Sequence, residues 1–171
     1  MTHRRIQVNS PAHKRAFTLI ELMIVISIIA LTAMLVVPHI ASSATFEVQG
    51  AARAIAGDLL YAQSEAIANQ ASRKVVFDTS NNSYRLTDGS GTTLPAPWLG
   101  GSYVVTFGDG SEFGKVDIDA PTFGGKTEVV FDELGAPSSG GTVDVVAAGH
   151  RYRVTVTAFT GRVSVQEVTT P

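Results

Sequence analysis

Between Phe17 and Val37 the chain reads FTLIELMIVISIIALTAMLVV, 21 residues whose only polar members are Thr18, Glu21, Ser27 and Thr32. As a helix this run rises about 32 Å, enough to cross the hydrocarbon core of a bilayer. A secretory signal has a shorter apolar core, about 7–15 residues, with a small-residue cleavage site behind it. This run is too long for that, and the SSATF that follows is a poor cleavage site. Lys14 and Arg15 abut the N-terminal edge, while no Lys or Arg follows until Arg53. The charge bias keeps the N-terminus in the cytoplasm and exports everything after Pro38.

Glu21 is the exception inside the run. A carboxylate at membrane depth costs about 2.5–3.5 kcal/mol, less near the interface, so it needs a partner. The run itself offers no cation. A cut between Ala16 and Phe17 would create one, because the new α-amine of Phe17 lies at the same depth and can meet Glu21 of a neighbouring chain. Cleavage then turns an unpaired acid into an assembly contact.

Lys14-Arg15-Ala16 followed by Phe17-Thr18-Leu19-Ile20-Glu21-Leu22 resembles the prepilin N-terminus shared by type IV pilins and type II secretion pseudopilins. The resemblance implies that a prepilin peptidase cuts between Ala16 and Phe17 on the cytoplasmic side and N-methylates Phe17. It also implies assembly roles for Glu21, five residues after the cut, and for a helix-bending proline, Pro38. One departure is that the family has Gly before the cut where this chain has Ala16.

The total charge of −2 averages two unlike parts. Arg4, Arg5, Lys14 and Arg15 put +4 and no acid on the first 16 residues, which leaves −6 on the remainder. That remainder is a poor general phosphate-binding surface, since non-specific nucleic-acid affinity comes from clustered Lys and Arg. The absence of cysteine excludes disulfides, thiolate catalysis and Cys-type zinc sites, and leaves the compartment to be read from the N-terminus.

Beyond the apolar run, Val48, Ala52, Ile55, Leu59, Ala62 and Ala66 recur in steps of four and three, the period of an amphipathic helix from Phe46 to Ala68. Pro38 predicts a bend before it. The stripe is expected to face a sheet, with Asp58 and Glu65 in solvent. After Ser72 the period becomes two. Segments 74–78 and 83–88 read as a hairpin around Thr79–Asn82, and further strands are expected at 103–107, 115–118, 128–131, 142–147, 152–158 and 162–168. The Gly- and Pro-rich stretch between Asp88 and Ser102 reads as a surface loop tethered by Trp98. The expected fold is α+β and pilin-like, a long N-terminal helix against antiparallel sheets. Its divisions are 1–16 (cleaved leader), 17–38 (transmembrane and assembly helix), 39–72 (exported half of the helix) and 73–171 (β-rich domain).

The stretches LLYAQSEAIANQASRKVVF, FDELGAPSSGGTVDV and YRVTVTAFTGRVSV resemble the H-type minor pseudopilins and the related FimT minor pilins, whose C-terminal marks fall here at Phe131 to Gly135 and at Gly161-Arg162-Val163. That likeness implies a structural subunit rather than an enzyme, without a cofactor. The implied partners are other pseudopilins or pilins through the N-terminal helix, the prepilin peptidase and an inner-membrane assembly platform. The chain would be a single-pass protein of the bacterial inner membrane, its C-terminal domain in the periplasm. A secretion pseudopilus is the first reading. A FimT-type pilin acting in pilus assembly or DNA uptake is the alternative, and an exported binding module on an uncut signal anchor is a third.

Residues able to carry chemistry are sparse. The four histidines have no metal-ligand spacing, and no nucleophile elbow or Walker loop occurs. Asp109, Glu112, Asp117 and Asp119 could gather oxygen ligands for calcium, although a solvated turn is the plainer reading. Asp132 and Glu133 are neighbours on a strand and point to opposite faces, a poor acid/base pair. Arg151, Arg153 and Arg162 form the only local basic cluster and are the candidate nucleic-acid contact. A solvated sheet face explains them more simply, and no nucleic-acid partner and no metal are expected.

Overall fold

The computed structural model describes residues 17–41, 43–108, 110–111 and 113–168, with the side chains of 34–44 excepted. It has two units divided between Ala41 and Ser42. The first contains helix α1, Leu19–Ala41. Thr18 caps it, its Oγ1 accepting the Glu21 N–H at 3.2 Å and so satisfying one of the donors that a helix start leaves orphaned. Ser27 returns its hydroxyl to the Met23 carbonyl (2.7 Å), and Thr32 does so to Ile28 and Ile29 (3.0 and 2.9 Å). These two polar residues are thereby satisfied within an otherwise apolar helix. The bend expected at Pro38 falls where side chains lie outside the described residues.

The second unit holds α2 (Ser43–Asn69), then β1 (Arg73–Asp78), β2 (Ser83–Asp88), β3 (Pro95–Ala96), β4 (Gly101–Ser102), β5 (Val104–Thr106), β6 (Asp117–Phe123), β7 (Glu128–Phe131), β8 (Gly141–Ala147), β9 (His150–Val156) and β10 (Val163–Glu167). Two four-stranded antiparallel sheets, ordered β5-β2-β1-β7 and β10-β9-β8-β6, both pack against α2. Every residue of the expected apolar stripe, from Val48 to Ala66, is fully buried between them. Four of the six are alanines or valine, which lets the sheets approach closely. The sheets contribute Val75, Phe77, Tyr84, Leu86, Val129 and Phe131 on one side and Val143, Val145, Tyr152, Val154 and Val156 on the other. Along each strand these positions alternate with outward residues, as a half-buried sheet requires.

Asn82, at the left-handed turn position of the β1–β2 hairpin (φ 45°), joins the sheets. Its side-chain amide donates to the Val116 carbonyl (2.8 Å), and its oxygen accepts the Ile118 N–H (2.8 Å). A short polar side chain tolerates this backbone conformation, which a β-branched residue would not.

Two sequence expectations are corrected. The strand expected at 115–118 instead runs Asp117–Phe123, through Pro121. It survives because β6 is an edge strand with an irregularity between Asp119 and Thr122, where a missing N–H costs no ladder bond. The stretch after Asp88 is not a loop hung on Trp98. It contains the β3–β4 ribbon, its fully buried residue is Ala96, and Trp98 stays 66% exposed with only an edge-on contact to Tyr103.

Candidate functional site

The N-terminal end of α1 carries the residues singled out for processing and assembly. Phe17 is 84% exposed, and Leu19, Ile20, Leu22, Met23 and Ile24 are each more than half exposed. The described part of α1 is therefore apolar on all sides without covering itself. A helix of that kind needs lipid or other helices around it. Glu21 stands in the first turn, three residues after the capping Thr18, where the positive end of the helix dipole favours a carboxylate. Among the described residues none hydrogen-bonds its carboxylate. Ala16 lies outside the described residues, as do the backbone of the leader and the side chain of Pro38. Among the described residues no helix is long and apolar enough to cross a membrane, so the spanning role rests on the sequence pattern.

The three arginines do not converge. Arg151 and Arg153 share the outer face of β9, as their spacing implies, and both turn to Asp144 on β8. Arg153 reaches it with Nε and Nη2 (2.7 and 2.8 Å), and Arg151 with Nη1 (2.8 Å), which also meets Asp119 on β6 (2.7 Å). The Asp144 side chain is only 3% exposed. Burial pushes its carboxyl up, yet the hydrogen bonds and charges of Arg153 and Arg151 outweigh this and hold it below the ordinary carboxylate range. Arg162 lies at the far end of the β9–β10 hairpin, its carbonyl accepting the Thr157 N–H. Two of the three cations are thus spent on neighbouring carboxylates, and the patch presents little free positive charge to a phosphate backbone.

The acidic stretch is likewise engaged. Asp117 accepts from the Asn82 amide (3.0 Å) and Asp119 from Arg151, while Asp109 and Glu112 lie outside the described residues. Among the described residues no three groups of metal-ligating type gather together. Asp132 closes a turn, accepting the N–H groups of Leu134 (3.0 Å) and Ala136 (2.7 Å), and does not pair with Glu133.

Two comparisons of sequence decide the family. Residues 51–161 match the family described as Type II transport protein GspH, and residues 11–37 match the prokaryotic N-terminal methylation motif. The chain belongs to the GspH family. Its members are structural pseudopilin or pilin subunits, not enzymes. Among solved structures, the minor pseudopilin EpsH from the type 2 secretion system of Vibrio cholerae shares the fold, at 16% identity and a TM-score of 0.53 over 71% of this chain and 97% of that one. The type IV minor pilin FimU of Pseudomonas aeruginosa does so at 13% identity and a TM-score of 0.51, over 69% and 91% of the two chains. No curated protein sequence matches the chain.

The geometry also explains the two C-terminal marks of this GspH-family chain. Gln63 on α2 donates its amide to the Gly135 carbonyl (2.7 Å) and the Thr160 carbonyl (3.3 Å). Gly135 (φ 80°) and Gly161 (φ 66°) sit in the left-handed region against that helix. A Cβ on Gly135 would come within 2.7 Å of Ile67, and one on Gly161 would strike the Gln63 amide. Both glycines are required by backbone conformation and by close approach at once.

Asp58 overturns a further expectation. It does not face solvent, because the hydroxyls of Tyr84 (2.5 Å) and Tyr103 (2.8 Å) donate to its two oxygens. Burial raises its pKa, and the two tyrosine hydrogen bonds only partly offset this. Glu65, also expected in solvent, is 3.9 Å from Arg73. Periodicity gave Asp58 a flank of the helix; nothing local announces partners 26 and 45 residues away.

Proposed function

We propose that this chain is a minor pseudopilin of a type II secretion system, supporting export of folded proteins across the outer membrane. The prepilin peptidase cuts between Ala16 and Phe17 and N-methylates Phe17. The helix from Phe17 to Pro38 anchors the subunit in the inner membrane, N-terminus in the cytoplasm and C-terminal domain in the periplasm, and packs against the helices of other pseudopilins above the inner-membrane platform. The observation that carries this reading is α1, a helix apolar on every described side whose one acid, Glu21, is left without a described partner. The α-amine of a neighbouring subunit's Phe17 supplies that partner, and Pro38 sets the bend.

Intact-mass measurement of the membrane-bound chain in its native host tests the processing. The expected species begins at N-methylated Phe17; retention of Met1 would overturn the reading. A second reading, a minor type IV pilin of the FimT kind, is favoured by the likeness to FimU. Deleting the gene separates the two. Loss of secreted proteins from the culture medium with intact piliation supports the secretion role, whereas loss of pili or of DNA uptake with normal secretion supports the other.

A further inference from the structure

The four outer edges of the two sheets are guarded unequally. On β7 the chain closes its own edge: Ser138 N–H donates to the Val130 carbonyl (2.7 Å), the Ser138 hydroxyl accepts the Val130 N–H (3.2 Å), and Phe131 bridges Pro137. β5 is three residues long. β6 carries Pro121 and an irregular register. These are the devices by which proteins stop edge-to-edge pairing. Among the described residues β10 has none of them. Val163–Glu167 contains no Pro, Gly or Lys and pairs with β9 in unbroken register.

The orientation of its main-chain groups that have no partner among the described residues follows from that register. Thr157 N–H donates to the Arg162 carbonyl and Val168 N–H to the Arg151 carbonyl, so Arg162, Ser164, Gln166 and Val168 face β9. Because hydrogen-bonding direction alternates along an antiparallel strand, the N–H and C=O groups of Val163, Val165 and Glu167 point away from the sheet. The side chains of Val163 and Val165 lie on the core side but are only partly covered, the last of the apolar layer before it meets water.

We propose that this edge pairs with β10 of a second copy of the chain, antiparallel and centred on Val165. In that register all three outward residues become hydrogen-bonded positions: Val165 opposite Val165 of the second copy, and Val163 opposite its Glu167. Six main-chain hydrogen bonds form. The centre places valine on valine over the half-covered core edge, and Ser164 stands opposite Gln166 of the second copy on the other face. No like charges meet, since Glu167 faces valine and Arg162 faces Val168. The two four-stranded sheets become one of eight. A different extended segment of another subunit would use the same free groups but has no reason to centre on Val165.

The chain has no cysteine, so single replacements report the register. In the full chain in membranes, treated with oxygen and copper phenanthroline, Val165→Cys is expected to form a disulfide dimer at least about tenfold more than Ser164→Cys. The paired Cα atoms at Val165 stand about 5.5 Å apart, within disulfide reach, whereas the two Ser164 positions are staggered beyond about 7 Å. Adding Glu167→Pro to Val165→Cys removes an outward N–H without touching the main-chain bonds to β9, giving up the side-chain contact of Glu167 with His150 (3.8 Å), and should abolish the dimer while leaving trypsin resistance unchanged. Equal crosslinking at Val165 and Ser164, none at either, or a dimer that survives Glu167→Pro would each overturn the proposal.

Discussion

Helix α1 and helix α2 follow one another in the chain and bury their apolar residues by opposite means. On α2 the stripe from Val48 to Ala66 is wholly covered by strands of the same chain, and the polar flanks find partners in Asp58, Gln63 and Glu65. On α1 every described side chain is exposed, and only the hydroxyl residues are satisfied internally. The first helix is therefore designed for surroundings that other molecules supply, and the second for surroundings the chain makes itself. A residue on α1 should matter for assembly and hardly at all for folding, and the reverse should hold on α2.

Glu21→Leu is the strongest way to break that contrast. It makes α1 more apolar, yet it removes one partner of the desolvated Glu21–Phe17 pair proposed above, at a cost of about 3–5 kcal/mol. Crosslinking to neighbouring subunits at equal membrane abundance is expected to fall by at least about a hundredfold, with insertion and cleavage unchanged. Normal crosslinking would leave α1 with no special partner. On the other side, a fragment comprising residues 42–171 should be soluble and folded, with helix and strand by circular dichroism. Within it Phe131→Ala should lose about 3–5 kcal/mol in urea unfolding, because a buried ring leaves a cavity in a close-packed core. An aggregated fragment would mean that the second unit also depends on α1.

The remaining tests sharpen the account of the self-made surroundings. Gly135→Ala should cost about 2–4 kcal/mol, adding left-handed strain to a collision with Ile67, whereas Gly91→Ala, equally left-handed (φ 96°) but facing open space, should cost about 1 kcal/mol. Urea midpoints separate them. The smallest effect concerns pH. Asp144 titrates below its unfolded value, so its contribution is complete above about pH 4 and is lost as pH falls through the lower folded value. Asp58 is shifted the other way, and stability falls as pH rises from the ordinary carboxylate value through its higher folded one. Asp144→Asn should flatten the acid limb of a midpoint-against-pH curve, and Asp58→Asn should remove the opposing slope.

The parts of this fold that a reader of the sequence can see are the ones set by local period. The α2 stripe, the hairpin around Thr79–Asn82 and the strands at 128–131 and 142–147 are all of this kind. So is the shared face of Arg151 and Arg153. What stays hidden depends on partners distant along the chain. Asp144 looks like a solvated strand residue until β6 and β9 close over it. Asp58 needs two tyrosines, one from β2 and one from the link between β4 and β5. Pro121 argues against a strand unless the strand is known to be an edge, which is a property of the assembled sheet. At the candidate site the sequence pattern around Ala16, Phe17 and Glu21 carries the assignment, because the roles proposed for them involve other molecules.

The placement of Gln63 has a mechanical consequence. Thr45 meets His150 at one end of β9 and Gln63 holds Thr160 just beyond the other, so α2 runs alongside that strand in the same direction. A pull along α2 would load the contacts down its length side by side, in shear, and would have to break them together. Detaching the sheet sideways would instead release them one after another. A subunit held by its helix and pushed or pulled lengthwise thus meets the load in the direction in which its domain is hardest to tear off.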